Sequence, residues 1–206
     1  MGFIERQVAA AKAKQARVVF PELADARVAE AARRLTGEGI CEVLALGEVS
    51  EAQVAVLVEA RGMKEAMARR LLKKPLYQAA AMVAAGEADA MVAGADSPTR
   101  RVIEAAAMAI GLADGVSVPS SFFLMLFPDG RELLFADCAV NVDPDAVALS
   151  DIARASERTA KVLLGQANVA MLSFSTGSSG AGGALIWCGR RQNWRASQGR
   201  CRRMRR

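Results

Sequence analysis

Ser97-Pro98-Thr99-Arg100-Arg101 gathers two hydroxyls and two guanidinium groups in five residues, just after an apolar stretch that ends at Gly94. Serine before proline is the favoured pairing of a helix N-cap with proline at the first helical position, so the spacing predicts a helix over 98–111 capped by Ser97. Val102, Ile103, Ala106, Ala107 and Ile110 fall on one face of that helix. Both arginines then sit in its first turn, where the helix dipole disfavours a cation by a few tenths to about 1 kcal/mol. Two readings are open. The arginines and the free N–H groups hold an anion together, or the pair is solvated and Glu104, at helical spacing, neutralises one of them.

Three further loops carry polar groups. Ser120 and Ser121 lead into the apolar run 122–127, a position that serines more often fill as turn formers. Asp137, Cys138 and Asn141 line the connection before Asp143-Pro144, which repeats the cap-plus-proline device for the next helix. A carboxylate at a strand's carboxyl end suits a general base or a polar latch, and the latch is the stronger expectation for Asp137. Cys138 has no cationic neighbour to activate it and reads as a small buried residue. Residues 173–183 set Ser173, Ser175, Thr176, Ser178 and Ser179 among glycines such as Gly177. This stretch is neither a Walker A loop nor G-x-G-x-x-G. It is a flexible linker or a ligand loop, and its place directly after an apolar run favours the ligand loop.

These loops need elements to hold them. Strands are expected at 17–21, 41–47, 88–94, 120–127, 131–137 and 167–172, with a turn at Pro128-Asp129-Gly130 between the fourth and fifth. Helices are expected from Asp25 to the Gly37-Glu38-Gly39 stop, then at 50–60, 64–74, 75–86, 98–111 and 144–164. Apolar, non-alternating strands between helices imply an α/β fold with a mostly parallel sheet covered on both faces, a three-layer arrangement. Ligands in such folds lie beyond the carboxyl ends of the strands, which singles out loops 94–99, 119–121, 137–144 and 173–183.

Bulk properties narrow the chemistry. The 206 residues contain no histidine, so Ser-His-Asp and Cys-His catalysis and His-ligated metals are excluded. Four cysteines form no C-x-x-C pair, and no metal site is expected. The net charge of +5 is uneven. Arg158, Lys161 and eight arginines from Arg190 onward come after the last acidic residue, which leaves 17 basic against 22 acidic groups in residues 1–157. The basic hint of a nucleic-acid partner therefore belongs to the tail, where a disordered extension is the plainer reading. The bulky apolar segment 122–127 is far short of the roughly 18–20 residues of a membrane span. A soluble cytoplasmic protein is the expectation.

The segments "ADAMVAGADSPTRRVIEAA", "PSSFFLMLFPDGRELLFADCAVNVDPDA", "SDIARASERTAKVLL" and "VAMLSFSTGSSGAG", with "FPELADARVAEAARRL" before them, resemble the phosphate acetyl/butyryl transferase family over roughly residues 17–182. The resemblance implies acetyl transfer between coenzyme A and inorganic phosphate, with coenzyme A as substrate and no cofactor. It also implies an isocitrate/isopropylmalate dehydrogenase-like architecture, usually in a homodimer. Its phosphate-facing positions are Ser97, Thr99, Arg100, Arg101, Ser120, Ser121, Asn141, Ser175, Thr176, Gly177 and Ser178. For coenzyme A, Arg61 is the candidate, and Arg100 or Arg101 substitutes for a second arginine whose place Glu104 takes. A late Ser-Arg…Asp cluster thought to serve catalysis in the family has no counterpart, so no catalytic residue is assigned. The expected domains are 1–144, an incomplete second domain from 145 to 182, and an aberrant tail from 183 to 206. Little turnover is expected from such a chain. Phosphate butyryltransferase and an arginine-tail nucleic-acid module are the alternatives.

Overall fold

Val18 and Val19 lie at the centre of the molecule's parallel sheet, because β1 (Arg17–Val19) pairs on one side with β2 (Glu42–Leu44) and on the other with β3 (Ala90–Met91). This computed structural model describes residues 2–172. The register sets Val18 against Val43 and Ala90, and Val19 against Leu44 and Met91. Arg17 ties β1 to the chain before β3: its backbone N–H, Nε and Nη2 all donate to Asp89, and Nη2 also donates to the Gly86 carbonyl.

Local signals set most helix limits. In α2 (Ala26–Gly37) Asp25 accepts from the Arg27 N–H, and in α3 (Glu51–Arg61) Ser50 accepts from the Gln53 N–H. Gly62, with φ 61°, ends α3 in the left-handed conformation that glycine adopts without a Cβ clash. After α4 (Glu65–Leu72), Pro75 opens α5 (Pro75–Ala84). The α6 helix (Thr99–Ala109) comes after β3. One helix, α1 (Phe3–Lys14), was not expected. None of its residues is buried, so the sequence carries no apolar stripe to announce it.

Two apolar clusters hold this part together. Val54, Leu57, Ala68, Leu72, Ala80, Ala81, Ala105 and Ala109 pack where α3, α4, α5 and α6 meet, and the alanines let the backbones approach closely. Val19, Ala79, Met82 and Ala88 join the sheet to α5.

The chain divides after Gly111 into two compact units, not at 144 as expected. Residues 112–144 belong to the same unit as α7 (Ala146–Leu164) for two reasons. The antiparallel hairpin β4 (Phe122–Leu126) and β5 (Glu132–Ala136) packs against α7, and the Ser117 N–H and hydroxyl both donate to Asp151 of that helix. The α7 cap is Asp145, accepting from the Ala148 N–H, rather than Asp143. Among the described residues the fold is thus α/β with a three-stranded parallel sheet and a separate antiparallel pair. Residues 167–172, expected as a strand, take no ladder with a described strand.

Candidate active site

In the order β2-β1-β3 the chain adds its second strand on one side of β1 and its third on the other, and the crevice at the carboxyl ends of strands where the order reverses is the usual ligand position in α/β sheets. A cleft of about 510 Å³ opens there, with Glu22, Lys74, Tyr77, Ser97 and Arg101 among its lining. Lys74 and Tyr77, their groups 5.7 Å apart, were not singled out in the sequence. The available signal was the Lys73-Lys74-Pro75 run, two cations immediately before a proline that opens a helix.

The first-turn arginines of α6 part company. Arg100 Nε donates to Glu104 Oε1 at 2.8 Å, and its side chain is 88% exposed. Arg101 lines the cleft and makes no ion pair among the described residues. The neutralised, solvated reading thus describes Arg100, while Arg101 is left without an ion pair among the described residues. Ser97 does not cap the helix: the N-cap is Pro98, without a side-chain partner, and Thr99 is the first helical residue and exposed. The Ser97 N–H donates instead to Glu22 Oε1 at 2.7 Å, while Glu22 Oε2 accepts from the Gly94 and Ala95 N–H groups at 2.8 Å each. Burial alone would push the Glu22 pKa up. The Ser97 side chain and the Ala95, Gly94 and Ser97 N–H groups outweigh it and lower the value to about 2.

Arg61 serves the other end of α6. Its Nε donates to the Met108 carbonyl and Nη2 to the Ala107 carbonyl, both at 2.8 Å, so the guanidinium satisfies carbonyls that the helix end leaves open. Gly111 (φ 83°) makes room for it, since a Cβ there would lie 2.5 Å from Nη2. The group expected for coenzyme A is thus engaged within the chain, about 10 Å along α6 from Arg101 at 1.5 Å per residue. Arg61→Ala is expected to cost about 1 kcal/mol of stability in a urea titration and to leave anion binding in the cleft in place. Loss of binding without loss of stability would restore the ligand role.

The second unit holds the other expected cluster. Antiparallel pairing sets Phe122 opposite Ala136, which carries Ser121, one residue before β4, alongside Asp137, one residue after β5. Loop 119–121 therefore precedes its strand and reaches a carboxyl end only through its neighbour. The Ser121 hydroxyl donates to Asp137 Oδ1 and accepts from the Cys138 and Ala139 N–H groups at 3.2 and 3.0 Å. Asp137 Oδ1 also accepts the Ser121 N–H. Oδ2 takes the Asn141 N–H at 2.5 Å and Nδ2 at 2.7 Å, and Nδ2 also donates to the Pro119 carbonyl. Burial would raise the Asp137 pKa, but the Ser121 hydroxyl and the Asn141 and Ser121 N–H groups hold it well below the usual carboxylate range. Asp137 is a latch, not a base. Ser121 and the Asn141 amide group spend their hydrogen bonds on it, whereas Ser120 makes no side-chain hydrogen bond among the described residues. Cys138 is a free, half-buried thiol 3.4 Å from the Ser121 oxygen. Ser175, Thr176, Gly177 and Ser178, and the tail from 183 to 206, lie outside the described residues.

Among the described residues no His/Cys/Asp/Glu group is placed to hold a metal, and no helix is long and apolar enough to cross a membrane. The family model described as phosphate acetyl/butaryl transferase matches residues 2–57 and 52–185, and the chain belongs to that family. It is 38% identical over 200 residues to a phosphate acetyltransferase of Paracoccus denitrificans, spanning 85% of this chain and 63% of that one. With a Haemophilus influenzae phosphate acetyltransferase it shares 42% over 159 residues, 76% of this chain and 22% of the relative. The chain thus spans less than two thirds of these relatives. A crystal structure of a phosphotransacetylase from Streptococcus pyogenes superposes with a TM-score of 0.80 at 28% identity, covering 93% of this chain and 70% of that one.

Proposed function

We propose that the chain carries the anion-holding part of a phosphate acetyltransferase site, serving reversible acetyl transfer between acetyl-coenzyme A and inorganic phosphate to give acetyl phosphate and coenzyme A. The observation that carries this reading is Arg101, facing the crevice at the β1/β3 ends without an ion pair, in the first turn of a helix that has no side-chain cap. In the reaction a phosphate oxygen attacks the thioester carbonyl, a C–O bond forms, the C–S bond breaks, and the departing thiolate takes up a proton. Most of the protein's task is to hold and turn a multiply charged nucleophile. Arg101 and Lys74, cations lining one cleft, suit that task.

Glu22 and Asp137 are poorly suited to proton transfer. Both are saturated with donors and hold their charge at neutral pH. Low turnover by this polypeptide on its own belongs to the proposal. So do the isocitrate/isopropylmalate dehydrogenase-like architecture, the homodimer, the cytoplasmic setting and the absence of any cofactor beyond coenzyme A as substrate. The family description spans acetyl and butyryl transfer. Competition between acetyl- and butyryl-coenzyme A would fix the acyl group.

Calorimetry with inorganic phosphate tests the site. Arg101→Ala is expected to weaken binding about tenfold, the scale of one charge-assisted hydrogen bond. Arg100→Ala is expected to have a several-fold smaller effect, because Glu104 already engages that side chain. Equal losses, or none, would overturn the assignment.

A further inference from the structure

Pro21-Glu22-Leu23-Ala24-Asp25-Ala26-Arg27 bridges β1 and α2, and the reaction chemistry gives its charged residues no task. Yet all three act on one distant segment, directly or through a neighbour. The Gly94, Ala95 and Ser97 N–H groups converge on the Glu22 carboxylate. Such a concave set of amides is an anion-binding nest, and Gly94, at φ 110°, supplies the backbone conformation that side chains rarely adopt. On the opposite polarity of the same segment, Arg27 Nη2 donates to the Ala95 carbonyl at 2.9 Å. Asp25 holds that guanidinium through both oxygens, at 3.1 and 2.7 Å, while its Oδ1 also caps α2 through the Arg27 N–H.

We infer that Glu22, Asp25 and Arg27 form a clamp that fixes the 94–97 loop and, through it, the start of α6, so that Glu22 is a positioning residue for Arg101. This assignment rests on the anion-site reading given above. Ser97 is the last residue gripped, and Pro98, the N-cap, is the next. The direction in which α6 departs, and with it the place of Arg101, depends on how Ser97 is held. A second consequence separates this loop from an ordinary phosphate loop. The nest that looks ready for a substrate anion is filled from within the chain, so the bound anion belongs at the start of α6 and not on the 94–97 amides.

Amide hydrogen exchange on the full chain tests the clamp without any ligand. In Glu22→Gln one acceptor oxygen becomes a donor facing donors, and exchange at Gly94, Ala95, Ser97 and the first-turn amides of α6 is expected to quicken about tenfold or more, with core amides of α3 unchanged. Unchanged exchange at those amides overturns the clamp. Arg27→Ala, which removes only the carbonyl grip, should move the same amides by less, and it keeps the test open if the Glu22 variant folds poorly. Phosphate calorimetry then reads the positioning. Glu22→Gln should weaken binding about fivefold, the scale of one neutral hydrogen bond, and the double variant with Arg101→Ala should be no weaker than Arg101→Ala alone. Additive losses overturn it, as does tighter phosphate binding by Glu22→Ala, which would make the vacated nest the true anion site. Wild-type protein that binds no phosphate but shows the exchange response would sink the functional reading and leave the clamp.

Discussion

Leu72→Ala is expected to destabilise the first unit by about 4 kcal/mol, towards the upper end of the range for a buried leucine cut to alanine. Leu72 is completely buried, and Ala68, Ala80, Ala81, Ala105 and Ala109 contribute much of the core around it. Alanines have no rotamers with which to swing into a void, so the cavity stays open and its full cost remains. Leu57, also without exposed surface and in the same cluster, should behave alike. Against a typical total of about 5–15 kcal/mol, one such change removes a large share of the stability. A urea titration would show a lower midpoint with the slope retained. A shift worth less than about 1 kcal/mol would mean that α3–α6 close over the gap and that the alanine contacts are not limiting.

Asp137→Ala should be the most damaging polar change, at about 3 kcal/mol, because it strips acceptors from part-buried donors whose unmet needs cost about 1–3 kcal/mol each. The Ser121 and Asn141 N–H groups lose their partners, and the two loops flanking the hairpin lose the atom that joins them. The pH dependence comes from the depressed pKa. A carboxyl held below its unfolded value of 3.8 contributes its full stability above that pH and loses it as pH falls towards the folded value. The gap between wild type and Asp137→Asn, which stays neutral throughout, should be constant at neutral pH and narrow below about pH 4. A pH-independent gap would show that the charge contributes nothing and that shape alone holds the latch.

Local signals carried much of the fold. Asp25 and Ser50 cap helices, Pro75 opens one, and Pro128-Asp129-Gly130 turns a hairpin, each through groups within a few residues. Reading failed where local cues competed or were missing. At Ser97-Pro98 the cap-plus-proline pattern lost to Glu22, which takes the Ser97 N–H and leaves Pro98 as N-cap. At Asp143-Pro144 the same pattern lost to Asp145 two residues on. For α1 there was no buried stripe to read.

Composition excluded histidine-based chemistry, and apolar strands alternating with helices announced the parallel sheet. Which group holds what was decided only in three dimensions. Glu22 meets Gly94 across 72 residues, Arg61 meets Met108 across 47, and Ser121 meets Asp137 across 16. Arginines alike in sequence therefore part, Arg100 to its neighbour Glu104, Arg61 to a helix end and Arg101 to the open cleft. The reason is that a polar group's task depends on whether its donors and acceptors are already met, and those partners come from strands and helices that only folding brings together.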